Sequence, residues 1–118
     1  MTTTLRRGYF DCRFGQLHVH LAIPAGGGFE EATTLLCIPG EPGSGRFFRP
    51  LLEPLGADRS IYAVDLPGCG ESDPPPDNAT PAQLAAALKD FLDNMRIRRV
   101  DLLACGQGTA VALAMAQQ

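Results

Sequence analysis

At 118 residues, 45% hydrophobic and with a formal net charge of -3, the chain is sized for one globular domain, burying roughly two thirds of its unfolded surface without staples. Its Lys, Arg, Asp and Glu residues are interspersed with no basic block, which excludes the electrostatic footprint of nucleic-acid or anionic-membrane partners. No run approaches about 18 apolar residues, and Met1 to Arg7 is not followed by an apolar stretch of signal-peptide length, so the reading is a soluble, cytoplasmic protein.

In chain order, Tyr9 to Phe14 and Leu17 to Ile23 read as two antiparallel strands across a Gly15-Gln16 break, which suits a two-residue turn with Gly first. His18 and His20 are two apart on the second strand and point to one face, a spacing that can begin a metal site. No third or fourth ligand is identifiable, so they read as exposed strand histidines with no metal. Pro24 to Gly28 is a flexible turn. Thr33 to Ile38 is a continuous β-favouring apolar run, expected of a strand covered on both faces. A loop rich in Pro and Gly, Pro39 to Gly45, leads to a helix over about Arg46 to Leu55 that Pro50 and Pro54 keep short or kinked.

Ile61 to Val64 is the next strand, running into the turn-rich Asp65 to Asp73 and three prolines, Pro74 to Pro76. Thr80-Pro81-Ala82-Gln83 is a capping box with Pro in the first helical position. Leu84, Leu88, Phe91, Leu92 and Met95 then recur at helical spacing as one apolar stripe for the sheet. Arg96, Arg98 and Arg99 form a solvated charge cluster before the apolar run Val100 to Ala104. Cys12, Cys37, Cys69 and Cys105 have neither C-x-x-C spacing nor an exported context, so they read as reduced, mostly buried small apolar residues.

The chain closes on the strand Val100 to Ala104, a break at Gly106 and Gly108, and an Ala-rich helical segment. The whole pattern is a hairpin followed by strand, helix, strand, helix, strand, helix. It predicts an α/β fold with a mostly parallel sheet, an N-terminal antiparallel hairpin and helices on both faces. Sites in such sheets form at the carboxyl ends of the strands, which here release the loops beginning at Pro39, Asp65 and Cys105.

These three loops, in order, resemble those of the α/β-hydrolase fold family. Leu35 to Gly45 is similar to an apolar strand followed by His-Gly-x-Pro, with Pro39 where the family usually has His. Asp65-Leu66-Pro67-Gly68-Cys69-Gly70-Glu71-Ser72 resembles Asp-x-Pro-Gly-x-Gly-x-Ser, and Ala104 to Gly108 resembles the nucleophile elbow. The resemblance implies hydrolysis of ester, amide or related bonds through an elbow nucleophile, a His and an acid. Gly106 stands in the nucleophile position and has no side chain to attack with. Cys105 is one residue early, and using it would place Gln107 where the turn needs a small residue. The amides of Glu41 and Gln107 take the oxyanion-hole positions.

The family's acid and His follow the elbow, so the expectation is a single truncated hydrolase-like domain over residues 1-118, inactive as written and without a cofactor. Val100 to Ala104 should then be an open sheet edge that invites a partner: a C-terminal half or a second copy of the chain. The alternative is a non-catalytic binding or interaction module using the vestigial pocket, for a small apolar ligand, or that edge. A dinucleotide site at Gly106-Gln107-Gly108 has little support, since a third glycine and a following acidic strand are absent.

Overall fold

The computed structural model describes residues 4–24, 33–40 and 43–117. Its strands are β1 (Thr4–Cys12), β2 (Gly15–Ile23), β3 (Thr34–Ile38), β4 (Ile61–Val64) and β5 (Val100–Ala104). Its helices are α1 (Arg49–Leu55), entered through a 3-10 turn at Gly45–Phe48, α2 (Pro81–Asn94) and α3 (Gly108–Ala116).

The five strands form one sheet in the order β1-β2-β4-β3-β5. Antiparallel ladders join β1 to β2 and β2 to β4, and parallel ladders join β3 to β4 and to β5. Four strands therefore point one way and β2 alone runs against them, so the N-terminal hairpin extends the parallel sheet on the β4 side. The hairpin turn is not where the Gly15-Gln16 break suggested. Cys12 pairs with Gly15, which leaves Arg13 and Phe14 as the turn and puts Gly15 inside β2. Gly15 has φ +121 and lies against the Asp73 side chain, which accepts a 2.7 Å hydrogen bond from the Gln16 amide. That contact needs a residue without a Cβ, so glycine is there for the approach of a loop rather than for the turn.

The pleat sorts the sheet residues into two cores, because alternate side chains point to opposite faces. Leu17, Val19, Leu21, Leu36, Ile38, Tyr62 and Val64 pack under α2 and α3 with Leu88, Phe91, Leu92 and Val111. Ala22, Cys37, Ile61 and Ala63 face the other way, under Phe48 and Leu52. Helices thus cover both faces, as the sequence pattern requires. Phe91 is fully buried and meets Phe10 and Tyr62 edge-on, with ring centroids 5.1 and 5.4 Å away. Burying one such side chain contributes roughly 1.5 to 3 kcal/mol.

Local sequence explains the helix boundaries. Thr80 Oγ1 accepts from the Gln83 amide at 3.2 Å, while Gln83 Oε1 accepts from the Thr80 amide at 2.8 Å, closing the expected capping box. Pro54 lies inside α1, which is only seven residues long. Met95 departs from the expected stripe: it is the C-cap of α2 and is 37% exposed. Of the cysteines, Cys37 alone is buried, while Cys12, Cys69 and Cys105 are half-buried.

The strand β5 stands at the sheet edge, paired with β3 among the described residues. Val100, Leu102 and Ala104 are half-covered by the helices, whereas Asp101 and Leu103 are exposed. Arg59, just before β4, reaches over to Asp101 with an Nη2–Oδ2 distance of 2.8 Å. A groove of about 900 Å³ follows this edge, lined by Thr33, Arg96, Arg98, Val100, Leu102 and Met115 among others. Among the described residues, no helix is long and apolar enough to cross a membrane.

Candidate functional site

The carboxyl ends of β3, β4 and β5 bring the three expected loops together. The β3–β5 ladder runs on into the elbow through a 3.3 Å bond from the Cys105 amide to the Ile38 carbonyl. The chain then turns sharply: the amides of Gly108, Thr109 and Ala110 donate to the carbonyls of Cys105, Gly106 and Gln107 at 2.9, 3.1 and 3.2 Å. Gly106 forms the apex with φ +53, a left-handed conformation that costs an ordinary L-residue about 1 to 2 kcal/mol. A Cβ there would lie 3.2 Å from Gly40 Cα. Gly40 in turn is closely packed against the elbow: a Cβ there would come 3.0 Å from the Cys105 carbonyl oxygen, so the backbone would have to give by a few tenths of an ångström.

Gly108 answers a different demand. A Cβ on it would stand 2.5 Å from the carbonyl oxygens of both Ile38 and Pro39, so α3 can start this close to β3 only on glycine. Turn geometry and close helix–strand packing are both those of an elbow, with a hydrogen atom where the side chain at the apex would be. Gln107 is the exposed N-cap of α3, next to the apex. Glu41, the other oxyanion-hole position, lies outside the described residues. Cys105 is half-buried beside Gly106. Cys37 is pushed up to about 12, chiefly by burial with a lesser contribution from Cys105, against the lowering effect of Arg59; its thiol is therefore a poor source of thiolate.

The second loop is built around Asp65, which leaves β4 with its side chain buried. Oδ1 accepts from Ser44 Oγ at 3.0 Å and from the Gly45 amide at 2.7 Å. Oδ2 accepts from the Glu71 amide at 3.0 Å and pairs with His18 Nδ1 at 2.9 Å. His20 Nε2 stands 3.5 Å from Oδ1. Burial by itself would raise this carboxyl, but His20, the amides of Glu71 and Gly45, and His18 together hold it well below the usual carboxylate range. Asp65 is thus a buried anion joined to the first loop, to its own loop and to the hairpin. Ser72 reinforces the junction, donating to the Asp65 carbonyl at 2.7 Å and accepting from the His18 amide at 2.8 Å.

The expectation of exposed strand histidines is corrected here. His18 and His20 are each 5% exposed, because β2 lies beside β4 and turns their shared face toward the end of that strand. A third group does converge on them: ligand-capable atoms of His18, His20 and Asp65 all lie within 4.8 Å of one another. The His-x-His spacing and an Asp directly after an apolar strand were both visible in the sequence. The neighbour relation of β2 and β4, which brings them together, was not.

Comparisons with known proteins agree with this geometry. The family model described as alpha/beta hydrolase fold matches residues 33–118. Among solved structures, Cfl2 from Burkholderia cenocepacia superposes with a TM-score of 0.83 at 28% identity, covering 95% of this chain and 36% of its own. An α/β hydrolase from Novosphingobium aromaticivorans gives 0.83 at 22% identity, with 96% and 39% covered. The epoxide hydrolase VrEH1 from Vigna radiata gives 0.82 at 19%, with 96% and 35% covered. The chain therefore spans somewhat over a third of the length of each of these structures. No curated protein matches it. With the three loops in place, the elbow formed and the family model covering most of the sequence, the chain belongs to the α/β-hydrolase fold family.

Proposed function

We propose that this chain keeps the α/β-hydrolase framework, whose family chemistry is hydrolysis of ester, amide or related bonds, without carrying out that chemistry at its elbow. Gly106 carries the reading. Nucleophilic catalysis needs an attacking atom at the apex and a base within hydrogen-bond reach of it, and the apex has no side chain. Both histidines of the sequence are engaged with Asp65 on β2, three strands from β5, or about 14 Å at the usual strand spacing. Cys105 would attack from one residue before the apex.

The test is turnover of short-chain chromogenic esters by the full-length protein. The unmutated protein and Cys105→Ala are both expected to stay at the buffer rate, because the apex carries no attacking atom. Turnover in the unmutated protein that disappears with Cys105→Ala would make Cys105 the nucleophile and overturn the proposal. Strong turnover in Gly106→Ser alone would mean that a general base already stands at the elbow, and that the loss is a single substitution deep.

The second reading, a binding or interaction module, is favoured by β5. Its outer edge is unpaired among the described residues, with Leu103 38% exposed. A further strand, from a C-terminal half or a second copy, would satisfy its amides and cover that surface. A small apolar ligand above the elbow belongs to the same reading, and binding without turnover would distinguish it from a hydrolase.

A further inference from the structure

Beyond the elbow, we propose that His18, His20 and Asp65 form a binding site for one divalent transition-metal ion of zinc's kind, pinning the N-terminal hairpin to the Asp65 loop. The donor set is two imidazole nitrogens and one carboxylate oxygen, a combination zinc accepts in tetrahedral sites with three protein ligands and a fourth position for water. The three side chains are buried and their ligand-capable atoms lie within 4.8 Å of one another. Two atoms bound to one tetrahedral ion by bonds of about 2.0 to 2.1 Å stand roughly 3.3 Å apart. His18 Nδ1 stands 2.9 Å from Asp65 Oδ2, close to that value, and His20 Nε2 stands 3.5 Å from the other oxygen of the same carboxylate, Oδ1.

The surroundings also suit a metal. Ligating carboxylates are oriented by outer hydrogen bonds, and Asp65 has three that an ion would leave intact: Ser44 Oγ and the amides of Gly45 and Glu71. The ion would take the place of the direct contacts of His18 and His20 with Asp65. Access is provided by a cleft of about 570 Å³, lined by Arg6, Arg7, Gly8, Tyr9, His18 and Glu71. Arg6 and Arg7 are exposed and solvated, so they oppose entry of a cation more than its retention, while Glu71 offsets them at the same opening. The Tyr9 ring, 5.0 Å from that of His18, covers the site from β1.

The experiment is metal titration of the untagged, chelator-treated full-length protein with Zn²⁺, and with Co²⁺ as a spectroscopic probe. One ion per chain is expected, with the intense visible bands of four-coordinate Co²⁺, and a rise in melting temperature with Zn²⁺ that Mg²⁺ does not produce. His20→Gln should weaken Zn²⁺ binding by more than about tenfold, the lower end of what losing even an outer partner costs. Ser44→Ala, which leaves all three ligands in place, should weaken it by about 10- to 100-fold. Absence of binding at micromolar Zn²⁺, a six-coordinate Co²⁺ spectrum, or an affinity unchanged in His20→Gln would each overturn the site. Should His20→Gln fail to fold, the spectrum and the melting shift of the unmutated protein decide the matter.

Discussion

Gly106 and Gly108 are two positions apart and are glycines for different reasons, so replacing them should have different consequences. At Gly106 the demand is the left-handed φ, with a Cβ 3.2 Å from Gly40 Cα. Gly106→Ala is expected to cost about 1 to 2 kcal/mol. At Gly108 the obstacle is backbone on the neighbouring strand, which cannot swing aside as a side chain would. Gly108→Ala should cost at least the upper end of ordinary overpacking, about 3 kcal/mol. Urea midpoints of the two variants, with m-values to confirm a common unfolded state, check the order. If Gly106→Ala proved the more damaging, the strain of the turn would outweigh the helix–strand approach. Both glycines could be singled out from the sequence, because a small-x-x-x-Gly elbow after a strand has a fixed geometric meaning. His18 and His20 were less legible, since burial depends on which strand lies beside β2, and that pairing spans some forty residues of chain.

The elements are joined by long-range polar contacts as well as by the two cores, and the hairpin turn offers a measurable example. Arg13 donates from its backbone amide and Nε to Asp90 Oδ2 at 2.8 and 2.9 Å, and from Nη2 to Oδ1 at 3.0 Å, tying the β1–β2 turn to α2. The Arg13 side chain first, against the opposing effect of burial, holds Asp90 below its ordinary carboxylate value. A carboxyl lowered in the folded state stabilises the protein above its unfolded value of about 3.9 and loses that contribution as pH falls through the folded value. Arg13→Ala should therefore be less stable than the unmutated protein at neutral pH, and the gap should close as acid protonates Asp90. Denaturation midpoints measured across that range check it; a gap independent of pH would assign the loss to packing of the arginine stem instead. The sequence led to a turn at Gly15-Gln16 because glycine is the common signal for one. The Asp73 contact explains the displacement: this glycine accommodates the second loop, and the turn falls on Arg13 and Phe14.

Across the whole molecule, protection should follow the sheet. The strand β4 is buried at all four positions and flanked by β2 and β3, whereas β5 has one neighbour among the described residues and alternates between half-buried and exposed. Amide hydrogen exchange should therefore be slowest at Tyr62 and Ala63 and faster along β5 when the edge is open. Equal protection of the two strands in the full-length protein would instead mean that a further strand or a partner covers β5. Helices on both faces, the parallel core of the sheet and the order of the three loops were legible, because buried strands and amphipathic helices differ in period and composition. Strand order was not, since apolar runs of similar length carry no label for their neighbours.

Asp65 also bears on how the chain folds. Its partners lie 20 residues before it at Gly45, 47 before it at His18 and 6 after it at Glu71. The Glu71 bond is local, but the Gly45 bond closes only once β4 has met the turn into α1 and the His18 bond only once the hairpin has docked on β4, and the entropy of closing such loops is lost before the contacts return anything. The loops at the elbow end should thus order late and together. A lesion in the hairpin, far from the elbow in sequence, would then slow the final step that gives the elbow its shape.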